Sequence, residues 1–429
     1  MVSDRRSGSV HYAWIVLGTV TLVLLAASGV RSSFGVFIKP LEAEFGWTRT
    51  SLSAVAALSL FLYGAAGPFV GRLADRWGPR GVLTGAAVLL GVGALGASAV
   101  ASLWQLYVTA GIVIALGAGG AAMSVAAAAL ARWFETHRGL VLGIAGAGIA
   151  AGQLLVVPLA MALTVSWGWR LTFAAMGAGV LLLVLPLAAS LIRNDPQDMG
   201  SAALGATTGV ARATAAAIAA DRTGILDAAN SVPFWLLCGS FWVCGYTTSG
   251  LVLTHLIPHA TEHGFSATSA AQALGVMGAL NIAGTVASGW MSDRFGQKGP
   301  LAGYYLLRGL SLLVLPYVGT VPGLLAFAAI FGLNYISTVP PTTALTAQIY
   351  GRYSIGELSG WIFLSHQVGA AAGSLVGGYL YDRFGSYTIA FHSAAILAFV
   401  AAGLVLAIRE RPLARGPAAP VAIAPPAIA

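Results

Sequence analysis

A small number of polar side chains interrupt long apolar stretches of this chain, and these positions are where binding chemistry is to be sought. Arg31 lies near the end of the first apolar stretch, and His366-Gln367 lie in the middle of the eleventh. A guanidinium binds a carboxylate through two parallel hydrogen bonds and stays charged, whereas an imidazole can exchange a proton near neutral pH. These residue types therefore indicate a site for an organic anion, with a proton or a counter-anion as the second transported partner.

Each of these side chains has a plainer interpretation. Arg31 could extend its guanidinium to the outer lipid headgroups, or it could pair with Glu262. His366 could form a hydrogen bond to a neighbouring helix without binding anything else. Arg308 lies in the ninth apolar stretch and has the same two interpretations. Its side chain could extend to the membrane surface, or it could form a bond between helices.

Further polar residues at similar depth complete the predicted substrate site. They are Tyr63 in the second stretch, Gln153 in the fifth, Asn281 in the eighth, and Asn334 with Tyr335 in the tenth. Each amide could bind a substrate oxygen or a neighbouring helix. A second group, His255, His259 and Glu262, lies at the outer end of the seventh stretch and predicts an outer gate or a pH-sensing group. Its spacing is too loose for a metal site, and we expect no metal and no cofactor.

Composition determines the class of protein that can contain such sites. Hydrophobic residues make up 58% of the 429 residues and charged residues only 8%, far below the roughly 25% of an average globular domain. The formal net charge of +8 comes from single or paired basic residues rather than a basic run, so no nucleic-acid partner is expected. Cys238 and Cys244 share one apolar stretch and predict buried thiols. The chain is therefore expected to cross a lipid bilayer several times.

Twelve apolar stretches are long enough, or nearly so, to cross the roughly 30 Å of hydrocarbon. They are 13–37, 51–73, 80–101, 104–130, 139–165, 168–192, 233–258, 267–291, 300–318, 322–347, 357–381 and 386–408. With both termini in the cytoplasm, sixteen Arg and Lys residues lie inside and four outside, as the positive-inside rule requires. The predicted organisation is a six-helix bundle at 1–192, a cytoplasmic linker at 193–232, a second bundle at 233–411 and a disordered tail at 412–429.

A repeated charged loop relates the two predicted bundles. Residues 71–83, GRLADRWGPRGVL, recur 218 residues later as GWMSDRFGQKGPL at 289–301. Duplicated halves are typical of secondary transporters, which place their site between two moving parts. The acid in each loop can bind a helix N-terminus, and the basic residues can pair with acids on the same face. We expect a conformational latch formed by Gly71, Asp75, Arg76, Arg80, Gly289, Asp293, Arg294 and Lys298.

These loops resemble the cytoplasmic loop signature of the major facilitator superfamily. Residues 29–53, GVRSSFGVFIKPLEAEFGWTRTSLS, resemble bacterial members of the monocarboxylate transporter group and its oxalate-formate antiporter-like relatives. The same holds for RWFETHRGLVLGIAGAGIAAGQLLVVP at 132–158 and RNDPQDMG at 193–200. The resemblance implies an all-α membrane protein with twelve transmembrane helices in two pseudo-symmetric bundles. It also implies a basic substrate-site residue in the region of Arg31.

One departure from that group affects the choice of substrate. Well-studied members carry an arginine in the eighth helix, four residues after a polar or acidic one, but here Asn281 is followed at that spacing by Thr285. A larger or more aromatic acid than lactate therefore becomes plausible. The leading hypothesis is a bacterial inner-membrane carrier that moves a small monocarboxylate by alternating access. The alternatives are an exporter of amphipathic or aromatic compounds and a membrane sensor that does not transport. Since no zinc motif, nucleophile elbow or P-loop occurs, we expect neither an enzyme nor an ATPase subunit.

Overall fold

A computed structural model describes residues 11–134, 138–205, 223–351 and 355–410, and these residues are nearly all helical. The helices of the amino-terminal half are α1 (Tyr12–Ser32), α2 (Phe34–Phe45), α3 (Arg49–Trp77), α4 (Pro79–Ser98), α5 (Leu103–Leu106), α6 (Ile114–Gly120), α7 (Met123–Trp133), α8 (Arg138–Ala151), α9 (Val157–Gly179) and α10 (Leu185–Leu191). Turns of π-helix at Tyr107–Val113, Gly152–Val156 and Val180–Val184 join α5 to α6, α8 to α9 and α9 to α10.

The carboxy-terminal half repeats this pattern after a short 3₁₀ turn at Pro196–Met199. Its helices are α11 (Ile225–Ala229), α12 (Val232–Gly245), α13 (Leu253–Glu262), α14 (Ala267–Phe295), α15 (Lys298–Val314), α16 (Val321–Tyr335), α17 (Val339–Tyr350), α18 (Ile355–Phe384) and α19 (Thr388–Ala407). A π-helical turn at Tyr246–Val252 joins α12 to α13, and a 3₁₀ turn at Leu315–Tyr317 follows α15. Within the described ranges, nine helical stretches are long and apolar enough to cross a bilayer.

Several of these long stretches are interrupted. The 52-residue stretch Leu140–Leu191 is broken at Gly168, whose φ of 82° lies in the left-handed region that glycine tolerates. The stretch containing α6 and α7 is interrupted at Ala121-Ala122, and the one containing α16 and α17 at Ile336–Thr338. The last two interruptions occupy nearly equivalent positions in the two halves of the chain. Discontinuous helices at matched positions are typical of substrate sites in transporters.

The ends of the predicted segments differ from those observed. Helix extends beyond the first predicted segment, 13–37, because it continues after a turn at Ser33 and reaches Phe45. Residues 225–229 of the predicted linker form α11. Residues 206–222 of that linker and the predicted tail at 412–429 lie outside the described residues.

Small residues allow the helices to pack with their backbones in contact. A Cβ atom added at Gly369 of α18 would lie 2.0 Å from the carbonyl oxygen of Trp242 in α12. One added at Gly373 would lie 2.3 Å from the carbonyl oxygen of Tyr246. In contrast, many large apolar side chains face outward, such as Leu182, which is 73% exposed. Close backbone packing inside and apolar side chains outside are the arrangement expected in lipid.

Gly369→Ala should lower the thermal unfolding midpoint of the purified protein. The added methyl group would overlap the carbonyl of Trp242, and forcing extra atoms into a packed interface costs about 1–3 kcal/mol. Gly360→Ala, in the same helix, is the matched control because its Cβ would meet no atom within 4 Å. Melting of both variants in detergent tests this packing, and equal midpoints would contradict it.

Candidate functional site

A cavity lined by residues of both halves of the chain lies beside Arg31. Its walls combine residues of α1, α2, α3, α6 and α9 with residues of the π-helical turn and α13 in the other half. The cavity is narrow, with a volume of about 40 Å³, and residues of both halves form its walls. The residues that line it are Val30, Arg31, Ser32, Phe34, Gly35, Ala56, Ser59, Leu60, Ala110, Ile114, Phe173, Ser249, Leu253 and Thr254.

The guanidinium of Arg31 rests on an aromatic ring rather than on an acid. Its central carbon lies 5.0 Å from the ring centroid of Tyr63, a cation–π geometry. In the part of the chain that the structure describes, Arg31 forms no ion pair. The alternative pairing of Arg31 with Glu262 is wrong, because Glu262 binds Lys39 and Arg49. The positive charge of Arg31 is therefore available to an anion in the cavity.

Gln153 and Tyr63 extend this arrangement on either side of Arg31. The Gln153 side-chain nitrogen donates to the hydroxyl oxygen of Ser32 at 3.5 Å, and Ser32 lines the cavity. The ring of Tyr63 lies edge-on to Phe363 of the other half, with the two centroids 6.0 Å apart. The structure thus brings together three of the sequence-predicted substrate residues, Arg31, Tyr63 and Gln153.

His366 and Gln367 lie where α18 crosses α3 of the other half. The Gln367 amide nitrogen donates to the carbonyl oxygen of Leu60 at 3.3 Å, and its Oε1 lies 2.7 Å from Nδ1 of His366. Because Leu60 lines the Arg31 cavity, this pair borders it. The His366 ring is half-buried between Phe241 and Phe363.

Asn334 has a different environment, because its polar atoms are already bound. Its Oδ1 accepts from Nε of Arg308 at 3.2 Å, and its Nδ2 donates to the carbonyl oxygen of Ile330 at 2.8 Å. The Arg308 side chain is 0% exposed, so it bonds between helices and does not extend to the membrane surface. It also donates to the backbone carbonyls of Asn334 and Tyr335 at 2.6 and 3.1 Å. Since α16 ends at Tyr335, Arg308 satisfies carbonyls that a helix end leaves unpaired.

Other side chains bind the remaining backbone groups at this interruption. Oδ1 of Asn281 in α14 accepts from the backbone N–H of Ile336 at 3.1 Å, and the Ser288 hydroxyl donates to the carbonyl of Ser337 at 2.5 Å. Asn281 is 3% exposed. Tyr335 is buried, and its ring packs on Phe331 with centroids 6.2 Å apart. Asn281, Asn334 and Tyr335 therefore support the broken helix in this conformation rather than face the Arg31 cavity.

A charged network joins the two halves at one end of the bundle, which we call the Arg49 end. Arg49 is 3% exposed and binds both carboxylate oxygens of Glu42. It also donates to Glu262 of α13 at 2.9 Å. Asp382 of α18 accepts from the backbone N–H groups of Arg49 and Thr50 at 3.2 and 2.7 Å. Two carboxylates of one half thus hold a buried arginine of the other.

Tyr387 continues this network into the carboxy-terminal half. Its hydroxyl accepts from Arg49 at 2.6 Å and lies 3.0 Å from Nδ1 of His255. Because the Tyr387 hydroxyl accepts from Arg49, its own proton is directed to Nδ1 of His255. The other His255 nitrogen therefore donates to the carbonyl of Ser374 at 2.9 Å. His259 is also buried, with its ring 4.1 Å from that of His263. His255 and Glu262 of the predicted gate thus belong to one network, whereas His259 packs beside it.

The predicted latch occupies the opposite end, which we call the loop-repeat end. The side chains of Gly71, Asp75 and Arg76 lie outside the described residues. The Arg80 side chain donates to the carbonyl oxygen of Ala189 at 2.7 Å, so it binds a helix end of its own half rather than an acid. Gly289 and Asp293 are on α14, and Arg294 lies near the rings of Trp290 and Phe295. Lys298 begins α15. Among the described side chains, none of these charges pairs with the other half.

Glycines of both halves toward the loop-repeat end have open space beside them. Cβ atoms added at Gly143, Gly146, Gly289 or Gly360 would meet no atom within 4 Å. Closer to the Arg49 end, a Cβ at Gly378 would lie 2.3 Å from the hydroxyl of Ser53. The two halves are therefore in close contact near the Arg49 end.

Sequence reasoning did not identify Arg49 and Tyr387 as partners in a site. Arg49 lies at the start of an apolar segment, where the sequence does not distinguish it from an ordinary exposed basic residue of a loop. The available signal was the cluster of Lys39, Glu42 and Arg49 beside the predicted gate residue Glu262 at the same membrane face. Such edge charges cannot be paired from one sequence, because their partners are more than 200 residues away.

Comparison with known proteins gives one consistent assignment. The model of the Major Facilitator Superfamily matches residues 20–373 and 283–428. The chain is 29% identical to monocarboxylate transporter 11 of Mus musculus, with 89% of this chain and 83% of that protein covered. It is 27% identical to the MFS-type transporter YcxA of Bacillus subtilis, with 88% and 90% covered. Two solved structures share the fold. A bacterial homologue of the human lysosomal transporter Spinster has a TM-score of 0.75 at 16% identity, with 93% of this chain and 97% of that one covered. A D-xylose-proton symporter has 0.69 at 18%, with 94% and 100% covered.

Asn281→Leu should destabilise the interruption between α16 and α17. The change removes the acceptor of the Ile336 N–H, and an unpaired buried backbone group costs about 1–3 kcal/mol. Hydrogen exchange followed by mass spectrometry should show faster exchange at Ile336 in this variant. Thr285→Val is the control, because the Thr285 hydroxyl reaches only Asn281, at 3.3 Å. Equal exchange in both variants would show that Asn281 does not support the break.

Proposed function

Since the chain belongs to the major facilitator superfamily, we propose that it carries a small organic anion, a monocarboxylate in the first instance, by alternating access. Membership makes it a multi-pass membrane transporter rather than an enzyme. The observation that supports an anion most directly is the guanidinium of Arg31, which has no ion pair among the described side chains and borders a cavity between the halves.

The proposed topology has twelve membrane-spanning segments in two six-helix bundles, residues 1–192 and 233–411. The nine apolar stretches count Leu140–Leu191 once, although Gly168 divides it into two. Adding α15 and α18 then gives twelve. We place both termini in the cytoplasm of a bacterium, at its inner membrane, because this puts most Arg and Lys residues inside. The Arg49 end is then the outer end.

In the proposed site, Arg31 attracts the carboxylate while Tyr63 and Gln153 shape the pocket on the amino-terminal side. Ser249 and Thr254 add hydroxyl groups from the other half. His366 and Gln367 border the same space through Leu60. Apolar residues dominate the remaining wall, which suits an acid with an aliphatic or aromatic body. The kinship with proteins named monocarboxylate transporters supports this class of substrate.

The contacts between the halves suggest which step of the cycle this conformation represents. Arg49, Glu262 and Asp382 join the halves at the proposed outer end, whereas no described ion pair joins them at the loop-repeat end. Moving a charge network apart costs energy unless substrate binding compensates for it. We propose that the Arg49 network is the outer gate, and that the predicted latch at the loop-repeat end forms when the outer gate opens.

Arg31→Gln should abolish most carboxylate uptake while leaving the protein folded. Losing a charge-assisted hydrogen bond costs about 1.5–3 kcal/mol, which corresponds to roughly a ten- to hundredfold loss of kcat/KM. Uptake of a panel of labelled carboxylates into proteoliposomes measures this loss. Arg31→Lys keeps the charge but loses the two parallel hydrogen bonds of a guanidinium. Its uptake should therefore fall between that of the unaltered protein and that of Arg31→Gln.

Arg409→Gln is the matched control, because Arg409 is exposed at the end of the last helix. If no carboxylate in the panel shows saturable uptake that depends on Arg31, the anion proposal is wrong. Export of amphipathic or aromatic compounds is the second candidate, favoured by the apolar wall of the cavity. A resistance phenotype without carboxylate uptake would decide for it.

Glu262→Gln should weaken the outer gate. The variant removes the charge that Arg49 and Lys39 share across the halves, and a partly exposed ion pair contributes up to about 1 kcal/mol. A cysteine at Ser59 of the cavity, with Cys238 and Cys244 replaced by serine, should then react roughly three- to fivefold faster with an impermeant maleimide from outside. Glu44→Gln is the control, because Glu44 binds Arg170 and Trp169 of its own half. Identical labelling of both variants would contradict the gate.

A further inference from the structure

The small size of the Arg31 cavity limits what can occupy it. Its volume is about 40 Å³, and a cavity needs roughly 10–15 Å³ for each water-sized group that it holds. The cavity in this conformation therefore accommodates about three such groups, which is the size of a carboxylate. Because residues of both halves form its walls, a carboxylate in this space is within reach of both halves at once.

Four hydroxyl side chains line this cavity, and two of them are already bound to protein atoms. Ser32 accepts from the Gln153 amide nitrogen at 3.5 Å, and Thr254 donates to the backbone carbonyl of Ser249 at 3.2 Å. The side-chain hydroxyls of Ser59 and Ser249 have no partner among the hydrogen bonds of the described residues, although both residues line the cavity. These two hydroxyls are therefore able to bind a ligand there.

The hydroxyl of Ser249 differs from those of the two residues before it. A serine or threonine inside a helix commonly donates to a backbone carbonyl of the preceding turn. Thr247 and Thr248 do so, at 2.8 and 2.6 Å. Ser249 follows them in the π-helical turn Tyr246–Val252, but it makes no such bond in the described part of the chain. Turns of π-helix are frequent at functional sites, and this one presents a hydroxyl that its own helix does not bind.

We propose that the hydroxyls of Ser59 and Ser249 both donate to the carboxylate that Arg31 attracts, so that the head group of the substrate joins the two halves. Ser59 belongs to α3 of the amino-terminal half, and Ser249 belongs to the carboxy-terminal half. Hydrogen bonds to an ionised acceptor are stronger than those between neutral groups. This inference rests on the proposed function, because it takes an organic anion as the substrate, and it adds which hydroxyls bind the anion.

The two hydroxyls connect binding with the movement of the halves. When the halves separate, a carboxylate held by Arg31 and Ser59 loses its bond to Ser249. The anion therefore binds the joined arrangement more tightly than the separated one, and a ligand favours the conformation that it binds better. In this arrangement Ser249 is the contact through which the carboxy-terminal half detects the bound anion.

The small volume also makes the head-group site selective for planar anions. A sulfonate is tetrahedral and carries a third oxygen, so it needs more space than the carboxylate with the same organic body. Extra atoms in a packed space are unfavourable. A carboxylate should therefore bind roughly tenfold more tightly than its matching sulfonate.

The experiment is calorimetric binding to the full-length protein in detergent, with the matched probes acetate and methanesulfonate, propionate and ethanesulfonate, and benzoate and benzenesulfonate. Ser59→Ala and Ser249→Ala should each weaken carboxylate binding about ten- to hundredfold, as expected for a lost hydrogen bond to a charged group. Each variant should also reduce the preference for carboxylate over sulfonate, because the removed hydroxyl enlarges the cavity. A purely structural role would not change this preference.

Thr248→Val is the matched control, because the Thr248 hydroxyl in the same π-helical turn donates to the carbonyl of Cys244 at 2.6 Å. It should bind the probes as the unaltered protein does. Carboxylate binding that requires Arg31 but is equal in Ser249→Ala and Thr248→Val would overturn this inference and leave the proposed function standing.

Two further outcomes are also decisive. If no carboxylate of the panel binds, the proposed function is wrong and this inference with it. If Ser249→Ala fails to fold, as its melting without ligand would show, Ser59→Ala and the unaltered protein still provide the test. Equal affinity of the unaltered protein for the carboxylate and the sulfonate of each pair would overturn the head-group site.

Discussion

Inside a bilayer there is no water to bind an unpaired backbone group, and every such group must find a partner within the protein. The interruption between α16 and α17 places this requirement in the middle of the membrane-spanning region. Arg308, Asn281 and Ser288 come from two other helices, α15 and α14, and bind the free carbonyls and N–H groups there. The break thus fixes how α14, α15 and α16 pack together. Some of the polar residues that stand out in the sequence are therefore explained by their binding of unpaired backbone groups at the break.

The same constraint decides how much of the site could be predicted. The apolar segments and their duplication follow from hydropathy and from the repeated loop, and the resemblance to the major facilitator superfamily is confirmed. A polar residue at membrane depth is a different matter. Asn281 and Gln153 have the same chemistry in the sequence, yet one binds a backbone group at a helix break and the other binds Ser32 of the cavity wall. Only the distant partner distinguishes them, and a single sequence does not reveal which residues are partners.

The partners of the charges at the membrane edge are equally hard to predict from the sequence. Arg49 and Arg80 both lie next to a helix end and both fit a topological explanation. In the structure, Arg49 is buried by acids of both halves, whereas Arg80 binds a carbonyl of its own half. Burial of Arg49 requires Glu262 and Asp382 to approach from more than 200 residues away. Ion pairs between such distant residues join the two halves at the Arg49 end. Small residues such as Gly378 allow the helices to come close enough to form these pairs.

The two arginines within apolar segments then make the case for an anionic substrate. Arg308 has all its donors satisfied by protein atoms and is wholly buried, so it has no capacity left for a ligand. Arg31 has an aromatic ring on one side and a cavity on the other, with no acid paired to it among the described residues. A cation at this depth is unfavourable in a closed, empty pocket. An anion that enters with the cavity open to one side of the membrane neutralises it, and the halves can then close around a neutral pair. A neutral or cationic substrate would leave that charge unpaired, which is why the proposed function gives Arg31 the role of selecting substrates that carry a negative charge.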